Sequence, residues 1–85
     1  MFLHLGGDVI IDENKIVAIL DLETLGKGSN AEHFLKMIKK LPRIFYASDT
    51  GKEKSLVITI DAHYFSPISS TTLLKRSLSI EEREE

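Results

Sequence analysis

Three histidines, His4, His33 and His63, are the residues to weigh for metal chemistry. They fall on three different expected elements, no two stand at ligand spacing, and the chain has no cysteine, so solvated or packing roles are the better reading and no metal site is expected. Asp61 and His63 share a strand face by the period-two rule and could hydrogen-bond. Ser66 and Ser69 beyond them show no nucleophile-elbow pattern, and nothing else that acyl transfer requires is visible. Gly6-Gly7 follows a strand but opens no helix, which makes it a bulge or tight turn rather than a phosphate cradle. Ser69-Ser70-Thr71-Thr72 at a helix start offers hydroxyls and free amides, chemistry that suits a phosphate and equally suits ordinary N-capping. With no nucleophile beside an oriented base, no metal cluster and no cofactor loop, the chain reads as a non-enzyme that carries no cofactor.

The remaining chemistry is cationic. Lys15 sits just after a turn, and Lys52 and Lys54 sit at an expected hairpin tip, where flexible ammonium groups reach phosphates without reading bases. No recognition helix or RNP-like aromatic strand accompanies them, so a plain solvated hairpin stands beside phosphate binding as a reading of these residues. The formal net charge of -2 hides a segregation along the chain. Asp8, Asp12, Glu13, Asp21 and Glu23 face only Lys15 up to residue 25, whereas Lys27, Lys36, Lys39, Lys40, Arg43, Lys52 and Lys54 outnumber Glu32, Asp49 and Glu53 between 26 and 54. Lys75 and Arg76 add a later basic pair, and residues 79–85 form an acidic tail. A local basic field can survive an acidic tail that lies elsewhere.

The elements that must position these residues follow from hydrophobic period and turn chemistry. Phe2 to Leu5 and Val9 to Ile11 read as short strands around Gly6-Gly7-Asp8, and Asp12-Glu13-Asn14 as a polar turn. Ile16 to Leu20 is a continuous apolar run rich in β-branched residues, which reads as a central strand buried on both faces, followed by a loop from Glu23 to Gly28. Ser29-Asn30-Ala31-Glu32 fits a capping box, and Ala31, Phe34, Leu35, Ile38 and Leu41 predict an amphipathic helix over about 29–41 that ends before Pro42. Glu32 stands four residues ahead of Lys36, the spacing of a helix ion pair. Arg43 to Ala47 reads as a strand, Ser48 to Lys52 as a turn, Ser55 to Ile60 as a strand with Leu56, Ile58 and Ile60 on one face, and His63 to Phe65 as a last short strand. Ser69 or Ser70 caps a short C-terminal helix through Leu73, Leu74 and Leu78.

The fold class expected is therefore α+β: a small, mainly antiparallel sheet packed by one central amphipathic helix and a short C-terminal helix. Eighty-five residues allow one small domain, here 1–78 with the acidic tail at 79–85. Without cysteine, basic leader or long apolar run, the chain reads as soluble and cytoplasmic, with no membrane partner. A central strand that is apolar on both faces needs two covers, and in so small a chain a second copy is as good a cover as the C-terminal helix, so a homo-oligomer is expected.

Phe2-Leu3-His4-Leu5-Gly6-Gly7-Asp8, Lys15 to Asp21, Lys54-Ser55-Leu56-Val57-Ile58-Thr59 and above all Tyr64-Phe65-Ser66-Pro67-Ile68-Ser69-Ser70-Thr71-Thr72-Leu73-Leu74-Lys75-Arg76 resemble the extracellular matrix regulatory protein family, and most closely its RemB branch. The likeness runs from about residue 2 to 78. It implies a bacterial regulator of biofilm matrix genes that assembles into rings and contacts duplex DNA through basic residues, as in the RemA branch. Carried over by position, the first DNA-contacting arginine falls on Lys15, and an adjacent arginine pair falls on Lys52 and Glu53, the second reversed in sign, with Lys54 alongside. Lysine also lacks the fork geometry of arginine. The alternative that these departures leave open is a structural or protein-interaction oligomer that no longer binds DNA.

Overall fold

Leu3 and Leu5 alternate with Phe2 and His4, and this period of two builds strand β1 (Phe2–Gly6), which returns antiparallel as β2 (Val9–Asp12). Gly6 and Gly7 take φ of 121° and 52°. A Cβ on Gly6 would stand 3.0 Å from the Pro67 ring, and one on Gly7 3.0 Å from the Ala47 carbonyl oxygen, so the double glycine is the expected tight turn and also the point where the hairpin docks. A computed structural model describes residues 1–25, 28–47 and 51–84 of the chain. Lys27 and the Ser48-Asp49-Thr50 part of the predicted turn lie outside the described residues.

Asp12 ends β2 and caps a 3₁₀ turn, Glu13–Lys15, its carboxylate accepting the Asn14 N–H at 3.0 Å. Strand β3 (Ile16–Asp21) follows, then a one-turn helix α1 (Leu22–Leu25) where a loop was expected, and helix α2 (Ser29–Lys39). Strands β4 (Ile44–Tyr46), β5 (Ser55–Thr59) and β6 (His63–Ser66) lead to helix α3 (Ser70–Glu84). The class is α+β as expected. The main sheet has the order β3-β5-β6-β4, antiparallel except for β4, which runs parallel to β6.

That order corrects two expectations. β3 is an edge strand, not the centre; β5, with Leu56 and Val57 fully buried, takes the central place, while β3 is at best half-buried and Val17 is 64% exposed. An apolar run signals that both faces want cover, but it does not say which strand will be its neighbour. Likewise β4 and β5 do not form a hairpin, because β6 lies between them. β5 stops at Thr59, so Ile60 leaves the face shared by Leu56 and Ile58 and is 71% exposed.

On one face of the sheet, Val57, Ile19 and Tyr64 meet Leu3, Leu5 and Ile11 of the β1–β2 hairpin and Leu73 of α3. Buried hydroxyls there are satisfied: Ser66 donates to the Leu5 carbonyl and Ser55 to the Ile68 carbonyl at 2.8 Å. Leu56 and Phe65, register partners that are almost wholly buried, belong to the opposite face, toward α2. Of the α2 residues predicted to pack there, Ala31 is buried whereas Phe34, Leu35 and Ile38 are only half-buried. The main core is thus closed by the hairpin and α3, not by the central helix.

The helix ends differ from the capping-box reading. α2 begins at Ser29, one residue early, with Gly28 in extended conformation as its N-cap and no side-chain cap bond. Ser69 does cap α3, accepting the Thr72 N–H at 3.3 Å. α3 continues to Glu84, through the segment expected to be a separate tail. Glu32 and Lys36, both exposed, do not close an ion pair; among the described residues the pair within 4 Å is Lys15–Asp61.

Candidate nucleic-acid interface

Lys15 ends the 3₁₀ turn, and its carbonyl accepts the Ile60 N–H at 3.0 Å, which fixes it beside the turn that joins β5 to β6. Its ammonium lies 3.3 Å from Asp61 Oδ2, both side chains being about half exposed. Asp61 is itself held in place. The Thr59 hydroxyl stands 3.0 Å from Asp61 Oδ1 and 2.6 Å from the Ala62 carbonyl, donating its one proton to one or the other while accepting the Ala62 N–H at 2.9 Å. The Thr59 hydroxyl above all, then Lys15, holds the Asp61 carboxyl below the usual carboxylate range, and the nearby charge of Arg43 acts in the same direction.

Lys52 and Lys54 are exposed at the far end of the sheet. The Lys54 backbone extends the ladder on both sides, its N–H donating to Ser66 at 2.8 Å and its carbonyl accepting from Leu22 at 3.0 Å. Lys15 adjoins Ile16, opposite Thr59, and Lys54 adjoins Ser55, opposite Asp21. Four strand steps, about 14 Å of rise, separate those ends. Within one chain, then, the structure places Lys52 near Lys54 but does not bring Lys15 to them. Glu53 turns back into its own loop, where its carboxylate accepts the Gly51 N–H at 2.6 Å.

Arg43 escaped the choice of site residues. It lines a cleft of about 340 Å³ with Lys15, Asp61, Thr59, Tyr64 and Phe2. It is the non-glycine residue with positive φ (63°) among those described, and its carbonyl accepts the His63 N–H at 3.0 Å, where β4 joins β6. The signal in the sequence was Leu41-Pro42: a proline that ends a helix leaves the next residue to redirect the chain. Tyr64 is stacked on Phe45 at a centroid distance of 5.5 Å, so the aromatic wall of the cleft is braced.

The other candidates are placed apart. His4 Nε2 meets the Gly7 carbonyl at 2.8 Å, and His63 keeps a buried Nδ1 without a partner. Asp61 bonds Thr59 and Lys15, not His63, so that pairing does not form. Among the described residues no three His, Cys, Asp or Glu converge as a metal site would require, and no helix is long and apolar enough to cross a membrane. Of the later basic pair, Arg76 is committed to the His4 carbonyl at 3.2 Å.

Comparison with known proteins agrees with the resemblance read from the sequence. The chain is 38% identical over 77 residues to extracellular matrix regulatory protein B of Bacillus subtilis (strain 168), an alignment covering 91% of this chain and 90% of that protein. The family model described as extracellular matrix regulatory protein A-like matches residues 2–77, spanning β1 through the first two turns of α3. On both comparisons, the chain belongs to the RemA-like family of extracellular matrix regulatory proteins.

Proposed function

We propose that this protein is a non-enzymatic, cytoplasmic regulator that assembles with copies of itself, in a ring, and binds the backbone of duplex DNA through Lys15, Lys52 and Lys54, thereby influencing expression of matrix genes. The observation that carries this reading is the separation of its cations by the length of the β3–β5 pair, in a chain whose edge strand β3 is apolar and half-exposed. Two isolated basic ends make a poor DNA site. Repeated around a closed assembly, they become a periodic track, each phosphate contact adding weakly and all acting together. Self-association is supported independently by the outward apolar residues Phe2 (70% exposed), Ile10, Val17 and Ile60, because a heterologous contact between unlike surfaces closes into a ring when its rotation allows.

A second reading, an oligomer whose partner is protein, is favoured by the Lys15–Asp61 pair, which already neutralises one of the three cations. Sedimentation of the purified protein with a fluorescent duplex, repeated across salt, decides between them. DNA binding that weakens steeply with salt supports the first reading; an assembled protein with no salt-sensitive DNA binding replaces it with the second.

A further inference from the structure

We infer that the cleft between the 3₁₀ turn, the β5–β6 turn and β4 is a seat for a phosphate group, with Lys15 and Arg43 as its two cationic arms and Asp61 as an internal competitor that occupies it until phosphate arrives. The inference rests on the DNA reading for the source of the phosphate, but the seat is defined by its own geometry.

The cleft, about 340 Å³, is large enough to admit a phosphate group. Two cations line it from different parts of the chain, one at the end of the 3₁₀ turn and one just ahead of β4. Of the two acids that line it, Asp12 accepts the Asn14 N–H as a cap, and Asp61 is the one paired with a cation of the cleft. Asp61 supplies to Lys15 what a phosphate oxygen would, an anionic acceptor at 3.3 Å, while its other oxygen lies 3.0 Å from the Thr59 hydroxyl. Arg43 has the geometry that lysine lacks, a planar fork matched to two phosphate oxygens. Its backbone is left-handed, φ 63°, a conformation in which glycine or asparagine would be more at ease. An exposed ion pair is weak enough to be displaced by a phosphodiester, so Asp61 tunes affinity without abolishing it.

The test uses the full chain with a 20-base-pair duplex and, separately, inorganic phosphate followed by amide chemical shifts. Asp61→Asn should tighten duplex binding about two- to fivefold, the competition that an exposed pair offers. Asp8→Asn, which removes an equal charge in the hairpin turn, should change it far less. In a Lys15→Gln background the Asp61→Asn gain should shrink, because the pair it breaks is gone, whereas a general charge effect would leave it unchanged. Arg43→Asn keeps a residue that tolerates the left-handed backbone and should weaken binding. If duplex binds but Asp61→Asn matches Asp8→Asn, or Arg43→Asn binds as the native chain does, the seat is overturned while DNA binding stands. If duplex fails to bind but inorganic phosphate shifts the Thr59 and Ala62 amides, more tightly in Asp61→Asn and not in Lys15→Gln, the seat stands and the DNA reading falls. If neither duplex nor phosphate binds, both are overturned.

Discussion

The Glu53 carboxylate accepts the backbone N–H of Gly51 at 2.6 Å, so the acid between Lys52 and Lys54 is folded into its own loop. Replacing it removes a negative charge that stands between two lysines in the sequence and costs one loop hydrogen bond.

Glu53→Arg should therefore raise affinity for duplex DNA and steepen its salt dependence, by about 0.9 in log-log slope for each further phosphate that the variant neutralises. Lys15→Ala with Lys52→Ala should lower both. Fluorescence anisotropy across a salt series checks the two together, and unchanged slopes in both variants would remove these residues from the interface.

Core burial predicts unequal costs for two phenylalanines. Phe65, 1% exposed and stacked on Tyr46 at 5.0 Å, should lose about 3–5 kcal/mol on truncation to alanine. Phe34 on α2, half-buried beside Leu20 and Leu25, should lose under about 2 kcal/mol. Urea denaturation of the two variants gives the comparison, and equal losses would mean that α2 is packed more deeply than its exposure shows.

Self-association should respond to the outward apolar residues. The native protein is expected to sediment at several times 9.6 kDa, and Val17→Glu with Ile60→Glu should reduce that mass while leaving the far-ultraviolet circular dichroism intact. A native monomer at micromolar concentration removes the ring from the proposal.

Acid should weaken the fold in a defined direction. The Asp61 carboxyl is held below its ordinary value of 3.8 by the Thr59 hydroxyl and then by Lys15, and that of Asp21 likewise by the Thr24 hydroxyl at 2.6 Å. As pH falls the unfolded chain takes up these protons first, so the stability that the two ionised groups add at neutral pH declines below about pH 4 and is lost as pH passes the folded values. Melting curves recorded from pH 7 to pH 3 should drop less for Thr24→Val than for the native chain; an equal drop would discount the Asp21 contribution.

Much of the fold was legible because local chemistry and long-range packing agree. Gly6-Gly7, the Ser69 cap and the period of α2 each describe a short stretch of chain, and each element forms where its residues ask for it. The neighbours of a strand are not local. Ile16 to Leu20 reads the same at an edge as at a centre, and only the parallel pairing of β4 with β6, Ile44 opposite His63, decides that β4 and β5 are not a hairpin. For the same reason Lys15 and Lys54 looked like one site and stand at opposite ends of a strand pair. Arg43 was missed because its importance lies in a backbone angle and a cleft assembled from distant segments.

Leu3 and Leu5, near the first residue, share their core with Leu73, and the Ser77 hydroxyl reaches back to the Glu13 carboxylate at 2.7 Å. During synthesis, then, the β1–β2 hairpin leaves the ribosome with its apolar face bare and stays so until α3 follows. β1 finds β2 early, but the face that Leu73 covers waits for α3, as β4 waits for β6. Closing this core therefore depends on contacts of long sequence separation, and the waiting chain, with that apolar face bare, is the species most exposed to premature pairing with its neighbours.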